Sequence, residues 1–345
     1  MLTKVSQIDF FWDLLLGFLN LAIGRLLPRL HVPKTDLTKK VAIITGGNSG
    51  IGFQIALEFA RRGATVHLAC RNASKADNAV SEITNQIPES HGRVEAHTLD
   101  TSSLASVRAF AEEWKGDIDI LMHNAGVASV PEGQSLFTPD GFPLLYATNF
   151  LGPFLLTYLL EKYLAPGARI ISTTSTGQYA GDISARFSLN SVTNHIEPGF
   201  HTSRKLNKKV PADADVYNNT KLMQVAFTRL LQQHFDHENG LKNQRLVHCF
   251  TPGFTSTPMV DKFNIRSFRL DPIWWILQST VIFATDPRQG AATGVWLATT
   301  KDGGGNGGGY WDRMTRRVSK IDVTDPHIVQ RLWVRWEADA GIEWR

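Results

Sequence analysis

The sequence predicts an α/β protein: a doubly wound parallel sheet with helices on both faces, one domain preceded by an apolar N-terminal helix. Three observations lead there. Short apolar, β-branched runs alternate with longer segments of helical period between residues 41 and 250, the pattern of stacked βαβ units. The first apolar run ends in a glycine cluster, "VAIITGGNSGIG" (Val41 to Gly52), where a strand would turn into a helix. The 345 residues are 43% hydrophobic and 20% charged, enough for one large core with appendages.

The elements follow in order. Val41 to Thr45 suits a strand buried on both faces. Phe53, Ala56, Leu57 and Ala60 fall at helical spacing, and Gly63 is a stop signal. Val66–Cys70 reads as a strand, Ala73–Ile87 as a helix, Val94–Leu99 as a strand and Ser103–Trp114 as a helix. Ile118–His123 is the next strand. Leu144–Leu164 reads as a long apolar helix kinked at Gly152-Pro153. "ARIISTTS" is a strand ending near Ser175, Ala214–Phe235 a helix, and Arg245–Phe250 a further strand. Two segments break the rhythm. Residues 177–212 are polar and without period. "KDGGGNGGGYW" (Lys301 to Trp311) reads as a flexible loop, and no helix follows it to make a phosphate cradle. The predicted organisation is a helix and linker over 1–38, the main α/β domain over 39–332, and a tail over 333–345.

Charge and cysteines narrow the class. The net charge of +4 is spread widely. The basic clusters at 203–210 and 313–320 lack interleaved aromatics and read as solvated loops rather than a nucleic-acid surface. Cys70 and Cys249 sit in apolar runs and read as reduced strand residues, and the 11 histidines show no ligand spacing, so no metal is predicted. Near the N-terminus, Ile8 to Pro28 is apolar, but Asp9, Asp13 and Arg25 interrupt it. The uncharged stretch is well short of the ~20 residues that span a bilayer. Phe10, Phe11, Leu14, Leu15, Phe18 and Leu21 fall near one helical face. Two readings stay open: a helix lying in a membrane interface, or one capping the protein's own core or a substrate mouth. The expected location is the cytoplasm or the cytosolic face of a membrane.

Several motifs occur in one order: Thr45-Gly46-Gly47-Asn48-Ser49-Gly50-Ile51-Gly52, Asn124-Ala125-Gly126, Asn149 in "YATNFLGPFLLT", Ser175 closing "ISTTS", Tyr217-x-x-x-Lys221, and Pro252-Gly253-x-x-x-Thr257. From about Lys39 to Leu332 the chain resembles the short-chain dehydrogenase/reductase family, whose fold is a Rossmann-type sheet. "HLACRN", "LATT", "GGYW" and "LW" are most similar to the retinol-dehydrogenase and WW-domain-oxidoreductase-like branch; no WW domain is evident. The resemblance implies catalysis by Asn149, Ser175, Tyr217 and Lys221, with Lys221 also on the nicotinamide ribose and Asn149 holding a proton-relay water. It further implies cofactor contacts from Asp100, Asn124 to Gly126, Pro252, Gly253, Thr255 and Thr257. Such proteins often pair through their long helices, so a homodimer is a partner to consider.

The residues make chemical sense in themselves. Glycines at a strand-to-helix turn let backbone approach a pyrophosphate at the helix N-terminus. Tyr217 and Lys221 are four apart in a helical stretch and share a face. A neighbouring ammonium is expected to lower the phenol's pKa from about 10. Ser175 can hydrogen-bond the reacting oxygen. Cys70 stands where NAD-preferring relatives usually carry an acid, and Arg71 follows, so NADP(H) is the expected cofactor. Residues 254–285 hold Phe254, Met259, Phe263, Phe268, Trp274 and Trp275, an apolar lid suited to a lipophilic substrate. The expected activity is interconversion of a carbonyl and an alcohol on such a molecule. A tailoring reductase of a natural-product pathway would share every residue, and a silent cofactor-binding scaffold is the reading of another class. Ser175 and Tyr217 are forty-two positions apart, wider than the family habit, so 177–212 is an insertion.

Overall fold

The computed structural model describes residues 6–183, 213–239, 244–256, 284–301 and 303–344. The lid residues 257–283, Thr257 among them, and residues 184–212 of the insertion lie outside the described residues.

Eight strands form one sheet in the order β3-β2-β1-β4-β5-β6-β7-β8. They are β1 (Val41–Thr45), β2 (Thr65–Cys70), β3 (Val94–Thr98), β4 (Ile118–His123), β5 (Leu164–Thr173), β6 (Leu246–Thr251), β7 (Gly309–Asp312) and β8 (Thr315–Arg317). All pairs are parallel except β7 with β8. The order reverses between β1 and β4, and such a reversal opens a crevice at the carboxyl ends of the strands. β1 is apolar and β-branched because it is buried on both faces: Ala42, Ile43 and Ile44 have no exposed surface.

Nine helical segments complete the described fold. They are α1 (Gln7–Ile23), α2 (Gly50–Arg61), α3 (Ala73–Gln86), α4 (Leu104–Glu113), α5 (Leu144–Tyr146), α6 (Gly152–Leu160), α7 (Asp213–Asn239), α8 (Pro287–Thr299) and α9 (Pro326–Ala340). One face of the sheet packs on α2, α3 and α8 through Ile55, Phe59, Ile83 and Leu297. The other packs on α4, α6, α7 and α9 through Phe110, Phe154, Phe227 and Trp336.

The structure departs from the sequence reading in four places. The helix expected over 144–164 is interrupted by a π-helical turn, Ala147–Leu151, and β5 already begins at Leu164. The glycine run over 301–311 ends in a core strand: β7 pairs with β6, and Tyr310 is buried. Residues 333–345 are no tail. α9 runs to Ala340, Trp336 has no exposed surface, and Trp344 is also buried. An aromatic cluster explains this, because Trp336, Trp344 and Trp333 all pack on Phe154. Lastly, the six apolar residues assigned to one face of α1 divide between two environments. Phe10 and Leu14 pack on the core, whereas Phe11, Leu15 and Phe18 are exposed.

Polar contacts set that orientation of α1. The Asp13 carboxylate accepts from the Val318 amide at 2.8 Å and pairs with Arg317 at 3.1 Å. Asn20 Nδ2 donates to Asp312 at 2.7 Å. Gly17 lies so close to Thr176 that an added Cβ would stand 3.0 Å from its methyl group. Among the described residues no helix is long and apolar enough to cross a membrane.

Candidate active site

One cleft crosses the carboxyl ends of the strands. Its lining runs from Arg71 and Asp100, past the glycine turn, to Ser175, Tyr217 and Phe254.

The glycine turn joins β1 to α2. Gly46 has φ +65°, and an added Cβ would lie 3.0 Å from the Ala125 Cα. Only glycine relieves both constraints. Gly52 does not line the cleft; it is buried against Asn124 and the Gly46 carbonyl, where a Cβ would meet that oxygen at 2.5 Å. The Ser49 side chain makes no capping bond to α2. The turn therefore presents amides and the positive end of a helix to the cleft, a setting that suits a phosphate. Asn48, Ser49, Gly50 and Ile51 line it there. Behind the turn, Thr45 Oγ1 accepts from the Asn124 and Ala125 amides, both at 3.0 Å. Asn124 Nδ2 donates to the Thr45 carbonyl at 3.2 Å. Asn124 and Ala125 thus tie the end of β4 to β1, and with Gly126 they line the cleft.

At one end the cleft carries Arg71, Asn72, Lys75 and Asp100. Arg71 and Lys75 are exposed, so their charges are free to meet a ligand. Asp100 Oδ1 accepts from the Ser102 amide and hydroxyl, at 2.9 and 2.6 Å. Burial pushes the Cys70 thiol up to about 11, so it is neutral at physiological pH. Sequence reading missed Lys75. Its only signal is its place in the first turns of α3, four residues after Arg71.

The other end gathers Ser175, Tyr217 and Lys221. β5 carries Ser175 to the sheet's edge, where it caps a 3₁₀ turn and accepts from the Gly177 amide at 3.1 Å. α7 presents Tyr217 and Lys221 on consecutive turns of one face. Ser175 and Tyr217 line the same part of the cleft, and the Ser175 side chain acts to lower the pKa of the Tyr217 phenol. Lys221 Nζ stands 5.4 Å from the centre of the Tyr217 ring. It donates to the Thr173 carbonyl at 3.0 Å and to Gln224 Oε1 at 3.2 Å. Burial pulls the Lys221 pKa down to about 7. Contrary to the sequence expectation, the Tyr217 pKa is raised, because loss of water around the phenol outweighs the opposing effect of Ser175.

Asn149 is fully buried behind these groups, inside the π-helical turn. Its side chain accepts from the Val127 amide at 2.8 Å and donates to the Val127 carbonyl at 2.9 Å. Its backbone carbonyl accepts from Gln224 Nε2 at 2.8 Å. Gln224 therefore links Asn149 to Lys221, a connection that sequence reading missed. The signal was faint: Gln224 follows Lys221 at i+3, on the same helical face. Pro252, Gly253 and Thr255 border the cleft after β6, and Thr255 Oγ1 donates to the Pro252 carbonyl at 3.0 Å.

Known proteins match this arrangement. Residues 40–185 fit the short chain dehydrogenase family profile. The chain is 32% identical to retinol dehydrogenase 13 of Homo sapiens over 320 residues, covering 90% of this chain and 87% of that protein. It is 34% identical to the WW domain-containing oxidoreductase of Danio rerio, covering 86% and 68% of the two. Among solved structures, a short chain dehydrogenase from Burkholderia cenocepacia in complex with NADP shares the fold at TM-score 0.54 and 21% identity, over 79% of this chain and 96% of that one. A 3-ketoacyl-(acyl-carrier-protein) reductase from Brucella melitensis complexed with NADH does so at TM-score 0.56 and 22% identity, over 80% and 97%. With a switch-point cleft, a glycine turn and relatives matched over two thirds or more of their length, the chain belongs to the short-chain dehydrogenase/reductase family of oxidoreductases, on the branch that includes the retinol dehydrogenases.

Proposed function

We propose that the protein is an NADP(H)-dependent oxidoreductase that interconverts a carbonyl and an alcohol on a lipophilic small molecule, working as a ketone or aldehyde reductase. One observation carries this reading: Tyr217, with Ser175 beside it and Lys221 Nζ 5.4 Å from its ring centre, shares one cleft with the glycine turn. The glycine turn would hold the pyrophosphate, and Lys221 the nicotinamide ribose. Arg71 and Lys75 would hold the 2′-phosphate, and position 70 carries a neutral thiol rather than a carboxylate that would repel it. Bound there, the nicotinamide supplies hydride in reduction and accepts it in oxidation.

The chain's own residues handle the oxygen and its proton. Ser175 donates a hydrogen bond to the substrate carbonyl and holds it against Tyr217. As charge develops on that oxygen, Tyr217 releases its proton to it. The adjacent Lys221 stabilises the phenolate left behind, and Gln224 and the Thr173 carbonyl keep its ammonium in place. Oxidation of an alcohol reverses each transfer. Phe18, Leu21 and Phe254 line the same cleft and make its mouth apolar, which favours a lipophilic substrate.

Calorimetric titration of NADPH and NADH tests the cofactor assignment. NADPH is expected to bind more tightly, and Arg71→Ala to weaken NADPH alone by about tenfold or more. Equal loss for both cofactors would remove the phosphate role. With lipophilic aldehydes as substrates, Tyr217→Phe is expected to lower turnover by roughly 10²–10⁴-fold while NADPH still binds. Tight NADPH binding with no turnover on any carbonyl would instead favour a scaffold.

We further propose that the outer face of α1 rests in a membrane interface. Ile8, Phe11, Trp12, Leu15, Phe18 and Leu19 are all exposed on one helix, and Phe18 also borders the cleft. An apolar substrate would then reach the mouth from the lipid phase. Flotation with phospholipid vesicles is expected for the parent chain and not for Phe11→Ser/Trp12→Ser/Leu15→Ser. Equal flotation of the two would reject this contact.

A further inference from the structure

Strand pairing assembles a cluster that the oxidoreductase chemistry leaves unused. His67 lies on β2, and Glu95 and His97 lie on the edge strand β3. The parallel register sets His67 beside Glu95 and Ala69 beside His97. Alternation along each strand then sends all three side chains to one face of the sheet. Aromatic groups back them there. The Trp114 ring stands edge-on to His67 at 4.8 Å, and the Phe110 ring edge-on to His97 at 6.0 Å.

The three ligand-type atoms form a compact triangle. His67 Nδ1 and His97 Nε2 are 2.8 Å apart, and Glu95 Oε2 lies 3.7 Å from the first and 3.8 Å from the second. A circle through points so spaced has a radius of about 2.0 Å, so one position lies at that distance from all three atoms. Zinc bonds to imidazole nitrogen and carboxylate oxygen are about 2.0–2.2 Å long. The histidines share a hydrogen bond, so at least one ring presents a lone pair. Side-chain exposure rises from 14% at His67 through 32% at His97 to 55% at Glu95. The pocket is thus closed by protein on one side and open to water on the other.

We propose that His67, Glu95 and His97 form a three-ligand site for a divalent transition metal, zinc in particular, with water in the fourth position. Two imidazoles and one carboxylate match zinc's preferred donors. Opening the histidine pair by about half an ångström and drawing the exposed Glu95 carboxylate inward by about as much brings the three donors close to tetrahedral separations. The bound ion clamps the edge strand β3 to β2, just before Leu99 and Asp100 enter the cleft lining. The site stands apart from Tyr217 and Ser175 and acts on the sheet edge.

The test uses the full-length chain without a histidine tag, stripped with a chelator. Zinc titrated calorimetrically is expected to bind one ion per chain with micromolar affinity. Cobalt(II), added as a spectroscopic substitute, is expected to give the intense visible bands of low coordination number. Glu95→Ala and His97→Ala are each expected to weaken zinc at least tenfold. The exposed Glu95 can be replaced without disturbing packing, so its variant keeps the test meaningful if His97→Ala folds poorly. No uptake below millimolar zinc, or equal uptake by the parent and both variants, overturns the site. Loss with His97→Ala but not with Glu95→Ala overturns the three-ligand arrangement.

Discussion

Lys221 is buried, with the Thr173 carbonyl and Gln224 as its acceptors. Burial is the largest influence on it and lowers its pKa from 10.5 to about 7. The consequence for stability has a definite sign. Between those two values the unfolded chain holds a proton that the folded chain releases, so stability climbs as pH rises through the window. Below about pH 7 the full cost of a buried ammonium is present. Lys221→Met is therefore expected to melt above the parent at pH 6, with the gap closing towards pH 10. Turnover is expected to fall by about 10²-fold or more. Thermal denaturation across pH checks the first part and a rate assay the second. A lower melting point at pH 6 would mean that the lost hydrogen bonds outweigh the relieved desolvation. The pairing of Tyr217 with Lys221 was legible in the sequence, because i and i+4 share a helical face whatever the fold. The direction of the Tyr217 shift was not, because it depends on how much water the folded cleft excludes.

At the scale of the element, α1 shows how polar residues orient an apolar helix. Its sequence is apolar nearly all round, so hydrophobicity left its inward face undecided. Asp13 and Asn20 decide it by bonding to the β7–β8 hairpin. Asp13→Ala/Asn20→Ala is expected to destabilise this docking by about 1–3 kcal/mol, since the Val318 amide and Asp312 lose their partners. Limited proteolysis is the measurement: cleavage near residues 24–40 is expected to quicken while the sheet resists. Unchanged cleavage would show that apolar packing of Phe10 and Leu14 suffices. The π-helical turn around Asn149 belongs to this scale too. It stands just before Gly152-Pro153, where the sequence suggested a kink, and such turns often occur at functional sites.

Across the whole molecule, the C-terminal segment completes the core. The Trp336 ring packs tilted against Phe150, their centres 4.5 Å apart, and Trp344 Nε1 donates to Glu161 at 2.6 Å. The Tyr146 hydroxyl donates to Asp339 at 2.9 Å, and Arg108 reaches the Ala340 carbonyl at 2.8 Å. Trp336→Ala is expected to cost about 3–5 kcal/mol, the range for deleting a buried large aromatic, and chemical denaturation would read it. A chain ending at residue 332 is expected to lack a cooperative unfolding transition, and a parent-like transition would contradict the core role. α9 thus packs on both α6 and α7.

Most strands and helices were legible because their signals are local: period, glycine stops and β-branched runs. The glycine turn and the Tyr217–Lys221 spacing were legible for the same reason. β7 was missed because its short apolar run, Gly309–Asp312, follows a stretch dominated by glycine. α9 was missed because its buried tryptophans meet Phe154 and Phe227, residues distant in sequence. Gln224's link to Asn149, and the meeting of His67 with Glu95 and His97, depend on tertiary placement. By itself the sequence determined the order of elements, the glycine turn and the tyrosine–lysine pair, since backbone geometry sets what neighbours along the chain share. Only the tertiary structure decided which distant side chains meet and how far each is dehydrated, because sheet register and packing set those distances and the loss of water.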